Sequence, residues 1–268
     1  MSKRNSQESK RAARERLRIE REKQAKKAKI RRQLVIGVSV VAVLALATGV
    51  GVAVKKMNEP SGWDAAKDAK LVTPANAEGA KGTRVVIGGE DAKNRIDVYE
   101  DLRCPACASF EQSAGKLLQK GADDGKYKLQ LHLGSIIDNN LGGEGSKNAI
   151  SALGAALDVS NDAFRDYHEA LYSKKHHPEE TNDEFADDGY LLDVADSVKE
   201  LKGNKDFRQN VEKGTFDKWA LGMIGDFEKG KVDATPTVKV DGKKVETEQL
   251  PAELQKLGVD LGGGSGKE

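Results

Sequence analysis

Two cysteines separated by two residues carry the clearest chemical signal in the sequence. Cys104 and Cys107 are the only cysteines among 268 residues, and Pro105 and Ala106 lie between them. An apolar segment precedes the pair, and a helical pattern from Ala108 to Lys120 follows it. Two thiols between a strand and the first turn of a helix are typical of a thiol–disulfide redox centre.

The position of each thiol predicts its role in disulfide exchange. A thiolate must attack a sulfur, and a helix N-terminus favours the anion. Cys104 lies at or before the first turn, where Pro105 needs no donor, so we expect Cys104 to be the exposed nucleophile. Cys107, one turn further on, is then the buried resolving thiol. A purely structural disulfide is disfavoured, because so small a loop gains little stability from closure.

The residues just before the pair are candidates for proton transfer and for charge. Glu100 and Asp101 lie in the connection to the motif, where carboxylates are usually solvated, and we take Glu100 as the candidate base for Cys107. Arg103 either points toward the Cys104 sulfur or is a solvated loop charge. No histidine separates the cysteines, so we expect a less depressed Cys104 pKa and a less oxidising couple than a Pro-His centre would have.

Neither the thiols nor the four histidines form a recognisable metal site. His176 and His177 are adjacent and precede Pro178, which indicates a loop rather than a metal-binding helix. A structural zinc site usually needs a second pair of ligands, which is missing. We therefore predict no metal and no cofactor.

Charge and hydropathy divide the N-terminal region into two segments. Residues 1–33 are strongly basic, and residues 34–54 are 21 consecutive uncharged, mostly apolar residues. A helix of that length spans roughly 30 Å, the thickness of the bilayer hydrocarbon. We predict a cytoplasmic tail, a transmembrane helix at 34–54 that acts as an uncleaved signal-anchor, and an extracytoplasmic domain beyond it. A cleaved signal peptide is the alternative; nucleic-acid binding by the basic tail is disfavoured, because the tail adjoins the apolar segment.

The remainder divides into a linker at 55–82, a folded domain at 83–258 and a disordered, Gly-rich tail at 259–268. Alternating apolar residues and turn signals predict β-β-α-β, then a helical block, then β-β-α. The predicted strands are Thr83–Ile87, Arg95–Tyr99, Lys128–Leu133, Thr237–Val240 and Lys243–Thr247, the last two forming an Asp-Gly hairpin. The predicted helices are Cys107–Lys120, Ser146–Leu157, Asp162–Tyr172, Asp183–Leu201, Lys205–Phe227 and Glu248–Leu257.

Three segments together resemble one enzyme family. Residues 97–107, Asp-Val-Tyr-Glu-Asp-Leu-Arg-Cys-Pro-Ala-Cys, resemble the active-site segment of DsbA-like thiol–disulfide oxidoreductases, and in particular of their membrane-anchored bacterial members. Residues 164–172 resemble a helix of the inserted helical domain of that family, and residues 232–243 resemble its Thr-Pro strand and hairpin. The resemblance covers about residues 83–258. It implies an α/β, thioredoxin-like fold with a helical insertion at about 141–227.

The resemblance also implies site residues and exposes one departure. It implies that Thr235-Pro236 is a cis peptide facing the cysteines, and that the Thr235 backbone pairs with an extended substrate segment. Many thioredoxin-like enzymes bury an acid six residues before the first cysteine, where this chain has Val98. Either Glu100 or water must then move the Cys107 proton.

The leading hypothesis is an extracytoplasmic, membrane-anchored oxidase that introduces disulfides into secreted proteins. The family implies a membrane reoxidase of the DsbB or VKOR type as its partner. One alternative is a disulfide reductase or isomerase in the same compartment. Another is a non-catalytic thioredoxin-like binding or chaperone module; a copper-handling thiol pair is disfavoured by the lack of a nearby Met or His cluster.

Overall fold

A computed structural model describes residues 62–89 and 91–261 of the chain. The predicted cytoplasmic tail, the predicted transmembrane helix at 34–54 and residues 262–268 of the predicted tail lie outside these residues. Within the described ranges, none of the helices combines the length and the apolar character that crossing a bilayer requires.

Five strands form one mixed sheet in the order β1-β3-β2-β4-β5. The central strands β2 and β3 are parallel, and the other three pairings are antiparallel. The predicted Asp-Gly hairpin between β4 and β5 is present, with φ angles of 47° at Asp241 and 79° at Gly242. The strand bounds are Val85–Ile87 (β1), Arg95–Asp101 (β2), Lys128–Gly134 (β3), Thr237–Val240 (β4) and Lys243–Val245 (β5).

The first helical layer follows β2 directly. A helix α2, Pro105–Phe110, continues through a π-helical segment, Glu111–Gly115, into α3, Lys116–Asp123. The predicted helix from Cys107 to Lys120 therefore extends further at both ends and contains one wider turn. The last helix, Leu250–Lys256, follows β5 and is α10.

The helical insertion lies between β3 and β4 and is more divided than the sequence pattern predicted. Gly214, with a φ of 58°, separates two helices where one helix from Lys205 to Phe227 was expected. The expected helix from Asp183 to Leu201 is a 3₁₀ turn, Glu184–Ala186, followed by a helix that ends at Ala195. The inserted helices are α4 (Ile136–Leu141), α5 (Gly145–Val159), α6 (Asn161–Leu171), α7 (Asp188–Ala195), α8 (Lys205–Glu212) and α9 (Asp217–Lys229).

The folded unit extends beyond its predicted bounds at both ends. Residues 62–68, expected to be linker, form helix α1, which packs against α9. Its Trp63 and Ala66 are buried in the core, and the Lys147 ammonium lies 5.6 Å from the Trp63 ring centroid. At the other end, Val259 is buried although disorder was expected from that residue on.

Candidate active site

The Cys-Pro-Ala-Cys motif lies where β2 leads into α2. Cys104 is the N-cap of α2, with the extended backbone angles φ −79° and ψ 118°, and its carbonyl accepts from the Ala108 N–H at 3.1 Å. Pro105 is the first helical residue, where the absence of an N–H removes no hydrogen bond. The strand–turn–helix arrangement expected from the spacing of the two cysteines is therefore present.

Both cysteines are free thiols, and they differ in exposure and in charge. Cys104 is 7% exposed and Cys107 is fully buried, so the expected exposed nucleophile is in fact only narrowly accessible. A hydrogen bond from the Cys107 thiol, helped by backbone N–H groups of Cys107 and Ala106, lowers the Cys104 pKa to about 6. Burial raises the pKa of Cys107 far above its usual range. The pair therefore combines a thiolate that is stable near neutral pH with a protonated, buried partner.

A loop from the far end of the insertion covers the reactive sulfur. The Thr235–Pro236 peptide bond is cis, as the resemblance implied. The Cys104 Sγ lies 3.6 Å from the Thr235 carbonyl oxygen, and Thr237 begins the strand β4. Thr235 and Pro236 are both half-buried, so this segment is a partly open edge beside the nucleophile.

Glu100 lies in β2, not in a solvated connection as expected. Its side chain is fully buried, and burial raises its pKa to about 8, with the nearby Cys104 charge acting in the same direction. Because side chains alternate along a strand, Glu100 faces the same side of the sheet as Val98. The chain thus has a buried acid at Glu100, two residues nearer to the cysteines than Val98.

Asp101, the other candidate carboxylate, is used to hold the backbone. It accepts hydrogen bonds from the Arg103 N–H at 2.9 Å, the Ile137 N–H at 2.8 Å and the Ser146 hydroxyl at 2.6 Å. Burial nevertheless raises its pKa to about 6. These bonds direct Asp101 toward the start of the insertion rather than toward the thiols.

Both positions that the sequence suggested for Arg103 are wrong: its side chain neither points at the Cys104 sulfur nor lies in solvent. Its side chain is 2% exposed and lies 2.9 Å from Asp138 and 3.0 Å from Asp183. Its guanidinium also donates to the carbonyl oxygens of Gly142 and Glu180. Arg103 therefore attaches the turn before Cys104 to the helical insertion.

Two polar residues near Glu100 were missed as site residues. His168 Nε2 lies 3.1 Å from the Glu100 carboxylate, and Glu111 is a second buried carboxyl group beside it. The sequence pattern places His168 within the predicted helix Asp162–Tyr172 and gives it no role in the site. The polarity of that residue within a face otherwise formed by Phe164, Tyr167 and Leu171 was the available signal.

Across the described ranges, no group of three His, Cys, Asp or Glu side chains is arranged to hold a metal ion. His176 and His177 lie in the turn region after α6, as their sequence indicated. His177 stacks on Tyr172, with 5.9 Å between the ring centroids. It therefore contributes to the packing beneath the motif.

Comparison with known proteins agrees with this site. A family model described as Thioredoxin matches residues 80–257. Disulfide bond formation protein D of Bacillus subtilis is 29% identical over 161 residues, which cover 60% of this chain and 68% of that relative.

Solved structures show the same likeness. The oxidised DsbA of Mycobacterium tuberculosis is 27% identical with a TM-score of 0.55, over 66% of this chain and 93% of that one. The reduced DsbG of the same organism is 28% identical with a TM-score of 0.56, over 67% and 89%. The chain therefore belongs to the thioredoxin family, and its two-cysteine site is that of a DsbA-like thiol–disulfide oxidoreductase.

Proposed function

We propose that this chain is an oxidase that transfers a Cys104–Cys107 disulfide to the cysteines of secreted proteins. The observation that carries the proposal is the contrast between the two thiols. A Cys104 pKa of about 6 stabilises the reduced protein, because its thiolate is favoured near neutral pH. A stabilised reduced form makes the disulfide a stronger oxidant.

The exchange proceeds in two displacements. A substrate thiolate attacks Cys104 Sγ, the Cys104–Cys107 bond breaks, and the departing Cys107 sulfur takes a proton, for which we assign Glu100 as the donor. A second substrate thiolate then attacks the substrate sulfur of the mixed disulfide, and Cys104 leaves as a thiolate. Two electrons pass from the substrate dithiol to the protein disulfide. When the site is reoxidised, Glu100 accepts the Cys107 proton.

The Thr235–Pro236 edge is the proposed docking place for the substrate. Its position 3.6 Å from the nucleophile would let a substrate backbone pair with Thr235 while its sulfur meets Cys104. An extended, unfolded segment can make such backbone pairs without regard to its side chains. This recognition suits an oxidase that acts on many different proteins.

The proposed compartment follows from the sequence of the N-terminal region. The basic tail at 1–33 and the apolar segment at 34–54 support a single-pass anchor with the catalytic domain outside the cytoplasm. A disulfide persists in such a compartment. Repeated turnover then requires a membrane-bound reoxidase, of the DsbB or VKOR type in this proposal.

The test combines an assay of substrate oxidation with a measurement of the reduction potential of the Cys104–Cys107 pair. The full-length protein in detergent, oxidised beforehand, is mixed with a reduced, unfolded substrate, and disulfide formation is followed by alkylation and mass spectrometry. Wild type should oxidise the substrate, whereas Cys104→Ala should not. The reduction potential should lie well above that of thioredoxin, about −270 mV. A value near thioredoxin's, or no substrate oxidation by wild type, would refute the oxidase and favour a reductase.

A further inference from the structure

Glu100 does not lie alone beneath the cysteines. Glu100, Glu111 and His168 come from β2, the π-helical segment and α6, and all three are almost completely buried. His168 Nε2 is 3.1 Å from Glu100 Oε2, and His168 Nδ1 is 3.8 Å from Glu111 Oε2. Two carboxyl groups and one imidazole thus form a closed cluster, which we call the Glu-His-Glu cluster.

The two carboxyl groups of this cluster face the same imidazole, Glu100 at Nε2 and Glu111 at Nδ1. Burial and the charge of Glu100 raise the pKa of Glu111, and burial raises that of Glu100, so a proton on one of the two carboxyl groups is favoured. Glu100 Oε1 accepts from no donor among the described residues, which leaves it free to take or give that proton. The cluster therefore provides two neighbouring carboxyl groups that can carry one proton.

The backbone around Glu111 is shaped to bring its carboxyl group inward. Glu111 begins the π-helical segment, a distortion often found at functional sites. Gly115 ends the segment, and a Cβ atom at that position would collide with the Glu111 carboxylate. The wider turn and the missing side chain together make room for Glu111 beside Glu100.

Glu111 also reaches the protein surface on its other side. It lines a pocket of about 280 Å³, together with residues of α3, α6 and the turn after α6. At the mouth of this pocket, Lys116 and Glu169 form an exposed ion pair of 2.8 Å. Glu111 therefore lies between Glu100 on the inside and solvent on the outside.

We propose that Glu111 and His168 complete a proton relay that connects Cys107, through Glu100, to the pocket at Lys116 and Glu169. The inference rests on the proposed role of Glu100 as the group that exchanges a proton with Cys107. Glu111 and His168 are positioning residues, because they act through Glu100 and do not touch the reacting sulfurs. The relay gives the helical insertion, which supplies His168, a part in the chemistry.

Each proton is accounted for in the relay. As the Cys104–Cys107 bond breaks, Glu100 gives its proton to Cys107 Sγ and becomes a carboxylate, which accepts from His168 Nε2–H. Glu111 then takes a proton from water in the pocket and passes it to Glu100. One solvent proton is consumed for each Cys107 thiol formed. Reoxidation runs the same transfers in reverse.

The charges around the cluster support this order of transfer. Burial lowers the pKa of His168 and keeps the imidazole neutral, so it donates one N–H without competing for the proton. Burial, the charge of Glu100 and that of Glu169 raise the pKa of Glu111. The titratable and charged groups that face the cluster are Cys104, Cys107, Asp101, Tyr172, Glu169 and, at the pocket mouth, Lys116.

The test measures how fast glutathione opens the protein disulfide between pH 5 and pH 9. The oxidised full-length protein in detergent is mixed with reduced glutathione, quenched with acid, and analysed by mass spectrometry for the mixed disulfide. After correction for the glutathione thiolate fraction, wild type should show an inflection above the ordinary pKa of Glu, because burial raises the pKa of Glu100. Glu111→Gln should slow the step about tenfold and abolish that inflection, whereas Glu111→Asp should restore most of both.

Two further variants and one control separate the relay from general damage. Gly115→Ala displaces the Glu111 carboxylate without removing any titratable group, and it should reproduce the slow rate of Glu111→Gln. His168→Phe removes the N–H donor, and its inflection should move to higher pH by about one unit. His132→Phe is the matched control, because His132 also pairs with a buried carboxylate, Asp97, at 2.9 Å and also stacks on an aromatic ring, yet lies outside the cluster.

The outcomes separate the relay from the proposed oxidase function. Folding of each variant is confirmed by chemical unfolding before its rates are compared. The relay would be overturned if Glu111→Gln, Gly115→Ala and His168→Phe all kept the wild-type dependence of the rate on pH. It would also be overturned if His132→Phe lost as much rate as they do. Glutathione exchange does not depend on the direction of protein oxidation. A relay found in a protein that fails to oxidise unfolded substrates would therefore refute only the proposed function.

Discussion

Burial raises the pKa of both thiols, but only at Cys104 do hydrogen bonds reverse its effect. Cys104 faces the Cys107 thiol and the N–H groups at the start of α2, and their hydrogen bonds outweigh the cost of its desolvation. Cys107 lies one turn deeper and faces the carboxyl group of Glu100, so each nearby charge disfavours its anion. With a pKa of about 6, roughly nine tenths of Cys104 is ionised at pH 7.

Cys107→Ala should raise the Cys104 pKa, since it removes the hydrogen bond that contributes most to the lowering. The thiolate absorbance of the reduced wild type should titrate with a midpoint near pH 6. The midpoint of the variant should lie about one to two units higher. Cys104→Ala is the blank and should show no titration in this range. An unchanged midpoint in Cys107→Ala would mean that helix N–H groups alone stabilise the thiolate.

Glu100→Gln should stabilise the reduced protein increasingly as the pH rises from about 5 to 8. The folded-state pKa of Glu100 is about 8, above the ordinary value for Glu, so the folded protein binds the extra proton in this range. Stability then falls as pH rises, by at most about 1.4 kcal/mol per unit, and Gln removes that fall.

Guanidinium unfolding at several pH values measures this effect. Glu212→Gln, at an exposed position on α8, is the control and should run parallel to wild type. If the free energy of unfolding of Glu100→Gln depends on pH as that of wild type does, Glu100 is ionised in the folded protein and cannot be the proton donor to Cys107.

At the scale of elements, the strands and the Cys-Pro-Ala-Cys turn were the predictable part. Apolar alternation in β3 and the Asp-Gly turn after β4 are local signals, and both predictions hold to within about two residues. The depth of Glu100 was not predictable, because the apolar alternation of β2 ends before it. Its partner His168 lies 68 residues away in sequence, so only the packing of the insertion brings them together.

The burial of Arg103 escaped prediction for a similar reason. A charged residue beside a turn is usually solvated. The carboxylates that pair with Arg103, those of Asp138 and Asp183, lie on two separate parts of the insertion. Arg103→Met should destabilise the fold by about 3–5 kcal/mol, since Asp138 would remain buried without its cation. Denaturant unfolding measures the loss. Arg208→Met is the matched control: Arg208 makes an exposed pair with Glu212, and its loss should cost less than about 0.5 kcal/mol.

Helix α1 is one of two helices that the sequence pattern missed, the other being α4. The seven residues of α1 hold few apolar side chains, but Trp63 reaches the core against α9. Trp63→Ala should lower the free energy of unfolding by about 3 kcal/mol. Leu71→Ala, at a 44% exposed position just beyond the helix, should change it by less than about 0.5 kcal/mol. Equal effects of the two variants would show that α1 is not part of the cooperative unit.

At the scale of the whole molecule, the sheet supplies the nucleophile and the insertion supplies its surroundings. The parallel pair β2–β3 leads into the motif, whereas Asp138, His168 and Asp183 belong to the inserted region. The insertion is therefore attached to the active site at two points, through Arg103 and through Glu100. The proposed docking edge at Thr235 therefore adjoins a site whose walls come from distant parts of the chain.

The proposed topology predicts which side of the membrane exposes the thiol. In intact cells briefly treated with reductant, a membrane-impermeant maleimide should label Cys104 without lysis. The low pKa of Cys104 favours labelling even though its side chain is only 7% exposed. Cys104→Ala is the control for specificity. Labelling that requires lysis would place the domain in the cytoplasm and refute the anchor's proposed orientation.

The contact between Cys104 and Thr235 has a consequence for the protein during its synthesis. Thr235 follows Cys104 by 131 residues, and Glu180 follows Arg103 by 77. A nascent chain that emerges from its N-terminus therefore carries both cysteines long before the residues that surround them exist. Until those residues arrive, the two cysteines lack the Thr235 edge and the Arg103 attachments that surround them in the folded domain.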